Sequence, residues 1–428
     1  MDTYIAIKKS AHLSSAGLSD SSDTAQKRIY LREESLSQSL QKKALLQQGL
    51  NEIPAHESLA EKYPEKTNDS FTRFDHVDAY ILRLSNQDKV KQSRDIFGDD
   101  YYVVPNNNLL TLPESQGSGN LGESSRSSNW PAESNIEKAH QEGLKGEDVI
   151  VAVLDTGCDA DHVQFSDKVV DFRYFSPTST QLPRAIRGFD LQGHGTHVCG
   201  IIAGKKVGIA PQATLMVASV IESEKTSTSL MRIVAALEWL TTKVIEPGNE
   251  QKAVILNLSL GFKPKDVSSG SEKVVLAAMR DLLKTLAEGY DVLPVVAIGN
   301  EGQGNFRYPA GFPEVLAVGA VDNQLTPWNL SGGGLVNIDG QSLTKPDVVG
   351  YGVDVYSSFE RTIEGHSRYQ KKSGTSMATP YVSGVAALIA QETGLRGSAL
   401  RDRLMSLTLP LPKYPQERVG SGVVRFSL

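Results

Sequence analysis

Five nearly continuous apolar stretches constrain this chain more than any other feature. They run over residues 149–154, 215–221, 254–260, 292–298 and 315–321. A strand with apolar residues on both faces has water on neither, the condition of a parallel sheet covered on both sides. Between these stretches lie helical patterns at 197–203, 230–244 and 273–288. Strands alternating with helices at these lengths predict an α/β, doubly wound, mostly parallel sheet with helices on both faces. At 428 residues, 39% of them hydrophobic, the chain can bury one such core and a smaller domain besides. In sheets of this kind, functional groups gather at the carboxyl ends of the strands.

Residues 1–112 have a different texture. Tyr4, Ile5 and Ile7 form a short strand candidate, and a polar, Ser-rich interval follows over 10–22. Residues 24–50 read as helix, and Pro54, Pro64 and Asn68 punctuate a loop. Val77, Ala79 and Ile81 share one face of a strand whose other face carries Tyr80, Leu82 and Leu84. A polar helix over 88–97 and a strand over 101–104 complete a small α+β domain. Residues 113–129 are rich in Gly and Ser, a composition that cannot bury enough surface to fold, and read as a flexible, easily cut linker. The second domain spans 130–428.

The net charge of -6 is mild and predicts no nucleic-acid partner. Two cysteines, Cys158 and Cys199, do not make a disulfide framework. They stand three residues after Asp155 and five after His194, which predicts sensitivity to bulky thiol reagents. The N-terminus lacks a basic segment followed by an apolar core, and no apolar run is long enough to span a membrane. The chain therefore reads as cytoplasmic as synthesised, with no membrane partner, and export by an unconventional route stays open.

Four polar residues sit at strand ends or helix starts, each beside glycine: Asp155 in Leu154-Asp155-Thr156-Gly157, His194 in Gly193-His194-Gly195-Thr196-His197, Asn300 in Gly299-Asn300-Glu301-Gly302 and Ser376 in Gly374-Thr375-Ser376-Met377-Ala378. Taken singly, each is an ordinary turn or cap residue. Small neighbours let another backbone approach Ser376, and a helix N-terminus beneath it favours developing negative charge. His194 and His197 lack an obvious third ligand for a metal.

Together with Val153-Leu154-Asp155-Thr156-Gly157, His194-Gly195-Thr196-His197-Val198 and Ala297-Ile298-Gly299-Asn300-Glu301-Gly302, the serine motif resembles those of the subtilisin-like serine proteases, the subtilases. The order Asp, His, Ser is that of subtilisin, and Gly-x-Ser-x-Ala argues against the α/β-hydrolase pattern. The resemblance runs from about residue 130 to near the C-terminus. It implies a serine endopeptidase acting through an acyl-enzyme, with Ser376 as nucleophile, His194 as base and then acid, and Asp155 holding the His194 tautomer. Asn300, with the Ser376 backbone N–H, would bind the oxyanion. His197 reads as structural.

The resemblance also implies a substrate site. Ser259, Leu260 and Gly261 form one wall of the S1 pocket, and Ala297 and Gly299 the other. Lys225 and Thr226 lie near the edge that pairs with an extended substrate. Arg307 falls where the family often has a small residue at the S1 floor, and predicts an acidic P1 residue. The alternative is that Arg307 neutralises Glu301 or points to solvent. No cofactor is required, and Gly204-Lys205-Lys206 offers no carboxylates for the calcium loop of secreted relatives, so a strong calcium site is expected to be absent and weaker ones stay open.

The N-terminal domain resembles, more weakly, the inhibitory propeptide of subtilases. That implies a zymogen whose own N-terminal domain occupies the groove until it is cut, after Glu114 and before Ser115, or second after Glu123. A binding or chaperone-like protein without turnover is the reading from another class. Within enzymes, a dedicated processing role and a general degradative one are both compatible with these residues.

Overall fold

The computed structural model describes residues 2–9, 40–55, 69–117, 119, 121, 130–179, 181–267 and 271–427. The N-terminal region holds β1 (Asp2–Lys8), α1 (Leu40–Gln47), β2 (Asn51–Glu52), β3 (Ser70–Phe74), β4 (Ala79–Leu84), α2 (Gln87–Phe97) and β5 (Tyr101–Pro105). The part of the expected helix before residue 40, the Ser-rich interval and most of the loop from residue 54 lie outside the described residues.

The five strands form one sheet in the order β2-β3-β4-β1-β5, with β1 antiparallel to both β4 and β5. Alternation along the strands gives each face its own partner. Tyr4, Ala6, Phe71, Tyr80, Leu82 and Tyr101 pack with Leu45, Val90 and Phe97 from α1 and α2. Ile5, Ile7, Phe74, Ala79, Ile81 and Val104, from the opposite face, join the core of the second domain. The strand that reads as apolar on both sides is thus buried on both sides, once by its own helices and once by its neighbour.

The chain then enters two short extended pieces, β6 (Asn108–Leu110) and β7 (Gln116–Gly117). Beyond them lie β8 (Val149–Asp155), β9 (Val170–Tyr174), α3 (His194–Ala203), β10 (Thr214–Ser219), β11 (Thr228–Ser229), α4 (Leu230–Val244) and β12 (Ala253–Leu258). There follow α5 (Ser271–Lys284), β13 (Val292–Ala297), β14 (Leu316–Val321), the hairpin β15 (Gly334–Ile338) and β16 (Gln341–Lys345), and β17 (Val348–Tyr351). The chain closes with β18 (Val355–Phe359), β19 (Arg368–Ser373), α6 (Thr375–Thr393) and α7 (Gly397–Ser406).

Seven of these strands make one sheet, in the order β17-β14-β13-β12-β8-β10-β9. Every neighbouring pair is parallel. The five apolar stretches are β8, β10, β12, β13 and β14, each within two residues of its expected bounds. In β8, Ile150, Ala152 and Leu154 face the helices α4 and α5. Val149, Val151 and Val153 face α3 and α6 on the other side. The doubly wound α/β architecture follows directly from that alternation. The outer strands β9 and β17 carry weaker signals: β9 is half-buried and charged, and β17 is four residues long with a glycine.

The two domains are joined by more than apolar contact. Glu238, buried in α4, accepts backbone hydrogen bonds from Asp75 (3.1 Å), His76 (2.9 Å) and Val77 (3.0 Å), and lies 2.7 Å from His76 Nδ1. Asn106 Oδ1 accepts from the Met231 N–H at 2.9 Å and so caps α4, whose own N-cap residue, Ser229, makes no side-chain cap. Removing one carboxylate would strand three backbone donors at the interface. We expect Glu238→Ala to lower the unfolding free energy of the full chain by about 2–4 kcal/mol in urea melts, and Glu238→Gln to lower it by less.

Candidate active site

The carboxyl edge of the sheet brings the four polar residues of the sequence motifs within reach of one another. Asp155 is the last residue of β8, His194 the first of α3, and Ser376 the second of α6; Asn300 follows β13 by three residues. His194 Nδ1 lies 2.7 Å from Asp155 Oδ1, and both side chains are fully buried. Asp155 Oδ1 also accepts the Thr156 N–H at 2.7 Å, which holds the carboxylate in place. A Cβ on Gly195 would lie 2.1 Å from the Gly157 carbonyl, so α3 can start this close to β8 only with glycine there.

His194 Nε2 and Ser376 Oγ are both buried, and neither has a hydrogen-bond partner among the described residues. No hydrogen bond joins the two atoms in this arrangement. Ser376 stands in the first turn of α6, whose N–H groups have no acceptor within the helix. Pro380 lies inside α6 and cannot donate back to the Ser376 carbonyl. The Ser259 hydroxyl takes that place at 3.3 Å. It is in turn reached by Asn257 Nδ2 (3.3 Å), and Asn257 Oδ1 accepts from Ser383 (2.9 Å). This buried polar chain beneath Ser376 leaves one mark in the sequence, an amide inside the apolar run of β12.

Asn300 is oriented by its neighbour. Its Oδ1 accepts from Thr375 N (3.0 Å) and Thr375 Oγ1 (2.8 Å), leaving Nδ2 free to point outward. Nδ2 donates to the carbonyl of Glu114 at 2.7 Å. That carbonyl belongs to residues expected above to be a linker, so part of the expectation needs correction. Residues 108–117 cross the site as an extended segment. Leu110 pairs with Thr228 and Asn108 with Ser229, and Thr111 exchanges two 2.9 Å bonds with Gly261. Beyond Glu114, Gln116 pairs with Ser373, Gly117 with Lys372, and Leu121 bridges to Tyr369. Residues 122–129, including Glu123, lie outside the described residues.

The extended segment pairs through Asn108 and Leu110 with Ser229 and Thr228, two to four residues beyond Lys225 and Thr226. Those two are exposed in a turn closed by Thr226, whose N–H and hydroxyl both donate to the Ser223 carbonyl. Leu260 and Ala297 are buried, while Gly261 and Gly299 flank Arg307: a Cβ on Gly261 would lie 3.2 Å from Arg307 Cβ, and one on Gly299 3.0 Å from Arg307 Cγ.

Arg307 thus stands between the two expected walls, 4% exposed. Its Nη2 and Nε donate to Glu301 Oε1 at 2.5 and 2.9 Å, and its Nη1 to Thr111 Oγ1 at 2.8 Å. The guanidinium is neutralised by Glu301 and reaches the extended segment three residues before Glu114. Although burial pushes the Glu301 carboxyl up, Arg307 and Lys263 outweigh it and hold it below its usual range.

Cys158 and Cys199 are fully buried, against the expectation that bulky reagents reach them. Burial pushes the Cys199 thiol well above its ordinary range, so the reactive thiolate is suppressed as well. Among the described residues, no group of three or more His, Cys, Asp or Glu side chains could hold a metal ion. No helix among them is long and apolar enough to cross a membrane.

A parallel sheet with a buried Asp–His pair, and a serine at a helix N-terminus, defines a hydrolase of the serine class. The model of the subtilase family of peptidases matches residues 146–422, more than half of the chain, and the chain belongs to that family. It is a subtilisin-like serine endopeptidase. The subtilisin-like protease PopC of Myxococcus xanthus (strain DK1622) is 41% identical over 349 residues, covering 78% of this chain and 72% of that protein. The major intracellular serine protease of Bacillus subtilis (strain 168) is 33% identical, over 63% of this chain and 78% of its own length. The intracellular serine protease of Paenibacillus polymyxa is likewise 33% identical, over 65% and 79%.

His197 sits beneath the site with Nε2 3.1 Å from the carbonyls of both Val355 and Gln370. Burial, and then the Lys372 charge, push its pKa down to about 3 from 6.5, so it is neutral when folded. The unfolded chain then binds the extra proton between those two values, and stability falls as pH drops through that window. By this term alone, lowering pH from 6.5 to 5 should cost about 2 kcal/mol of unfolding free energy. His197→Asn should flatten the dependence, as measured by denaturant melts at each pH.

Proposed function

We propose that this endopeptidase is made as a self-inhibited zymogen and cleaves its own chain between Glu114 and Ser115. The observation that carries the reading is the 2.7 Å hydrogen bond from Asn300 Nδ2 to the Glu114 carbonyl. A donor at that oxygen is what a tetrahedral oxyanion requires, and the paired residues on either side hold the peptide bond as a bound substrate is held. Ser376 Oγ attacks the carbonyl carbon, His194 takes its proton and later gives it to the Ser115 amine, and Asp155 stabilises the imidazolium. Water then hydrolyses the acyl-enzyme by the same path. None of these steps needs a metal or a cofactor. Until release, residues 1–112 act as an intramolecular inhibitor, docked through Glu238 and the shared core.

The finer reading is an acidic P1 residue. It is supported by Glu114 as the chain's own P1 residue and by Arg307 between Gly261 and Gly299. The Glu301 partner makes the preference modest, because an incoming carboxylate must compete for the guanidinium. The names of two relatives say intracellular, which supports a cytoplasmic site of synthesis and action.

N-terminal sequencing tests the processing step directly. The mature wild type should begin at Ser115, and Ser376→Ala should stay uncut; a cut elsewhere would remove the assignment. Asn300→Leu should lower kcat by roughly 10²–10³, a magnitude established on subtilisin itself. In a peptide panel varying only P1, Glu should lead Leu and Phe by a few-fold and lose that lead in Arg307→Gly. A win for Leu or Phe that survives the substitution would sink the acidic preference.

A further inference from the structure

On the leaving-group side of the same bond, a second charged pair has no part in the triad. Glu224 lies on the loop after β10, and Lys372 on β19. Glu224 Oε1 accepts from Lys372 Nζ at 2.9 Å and from Ser115 Oγ at 2.7 Å. The side chains of Glu224 and Lys372 are only 17% and 6% exposed. Burial raises the Glu224 carboxyl, but His194 and Lys372 outweigh it and hold it below the usual range, so it is ionised. Lys372 also pairs through its backbone with Gly117, which ties this ion pair to the path of the chain beyond the cut.

We propose that Glu224, held in place by Lys372, is a specificity-determining residue that selects a hydroxyl side chain, Ser or Thr, immediately after the cleaved bond. The proposal rests on the reading of Glu114–Ser115 as the scissile bond. An ionised carboxylate accepts hydrogen bonds and donates none. Lys372 and the P1′ side chain meet the same oxygen, Oε1, on a carboxylate that little water reaches. A hydroxyl of serine length meets that oxygen with a charge-assisted bond. Ala or Val in that position would leave Lys372 as the one side-chain donor of the two on that oxygen, at a carboxylate that little water reaches, and Asp would add a like charge. A site built to bond a substrate hydroxyl discriminates strongly against the analogue that lacks it.

The test uses the full chain after its own processing, with peptides Leu-Pro-Glu-Xaa-Gln-Gly in which Xaa is Ser, Thr, Ala, Val or Asp. Active sites are titrated with a fluorophosphonate. We expect kcat/KM for Ser and Thr to exceed that for Ala and Val by about tenfold or more, with Asp lowest. In Glu224→Ala the Ser-to-Ala ratio should fall towards one, and in Glu224→Gln it should fall part of the way. The wild-type comparison needs no variant, so a Glu224 variant that fails to fold leaves the test intact. Equal cleavage of the Ser and Ala peptides by the wild type would overturn the P1′ assignment while the protease reading stands. So would a Ser-to-Ala ratio unchanged in both variants. Failure to cleave any peptide or to take the fluorophosphonate would overturn both readings.

Discussion

Parallel strands in one sheet can be joined only by crossovers that return over one face or the other. With seven parallel strands, all the connections that leave their carboxyl ends emerge on one edge, and the amino ends on the opposite edge. Asp155, Asn300 and the start of α3 are neighbours for that reason. The helix α6 completes the group because it packs on the same face as α3, with Val382, Val385 and Leu388 against the valines of β8. The core thus sets the positions of groups that are far apart along the chain.

On that edge, the extended segment 108–117 supplies what the site lacks by itself. It completes a ladder at Thr228, Gly261 and Ser373, and its Glu114 carbonyl satisfies Asn300. Binding by backbone pairing is indifferent to most side chains, so an inhibitor and a substrate can use the same groove. Selectivity then falls to the few positions where side chains meet something other than backbone. Two of these are ion pairs, Glu301–Arg307 beside Thr111 and Glu224–Lys372 beside Ser115. Neither is a cheap source of stability, since desolvating a charge offsets much of the attraction it gains. On the proposed cleavage between Glu114 and Ser115, they stand on either side of the bond and fit a role in choosing what lies across it.

The N-terminal domain follows a different physical logic. Among the described residues, its own helices cover one face of its sheet, and Ile5, Ile7 and Ile81 on the other face pack into the core that includes α4 and α5. The second domain thus contributes to burying that face. Glu238 and Asn106 add polar links of defined geometry to that apolar contact, which fixes where the segment after Pro105 starts across the groove.

The fold of the second domain was legible in the sequence because continuous apolar runs report burial on both faces directly. The motifs around Asp155, His194, Asn300 and Ser376 were legible because each needs glycine or another small residue at a fixed offset. The strands β9 and β17 were not, since edge strands need neither length nor full burial. The sequence by itself determined which groups are present and at which strand or helix end each must stand. Only the tertiary structure decided who meets whom: that Arg307 turns to Glu301 and Thr111, that Leu110 pairs with Thr228, and that Glu224 and Lys372 converge on Ser115 across 148 residues of chain. Side-chain partners across such a separation depend on how loops fold back over the sheet, and no local periodicity records that.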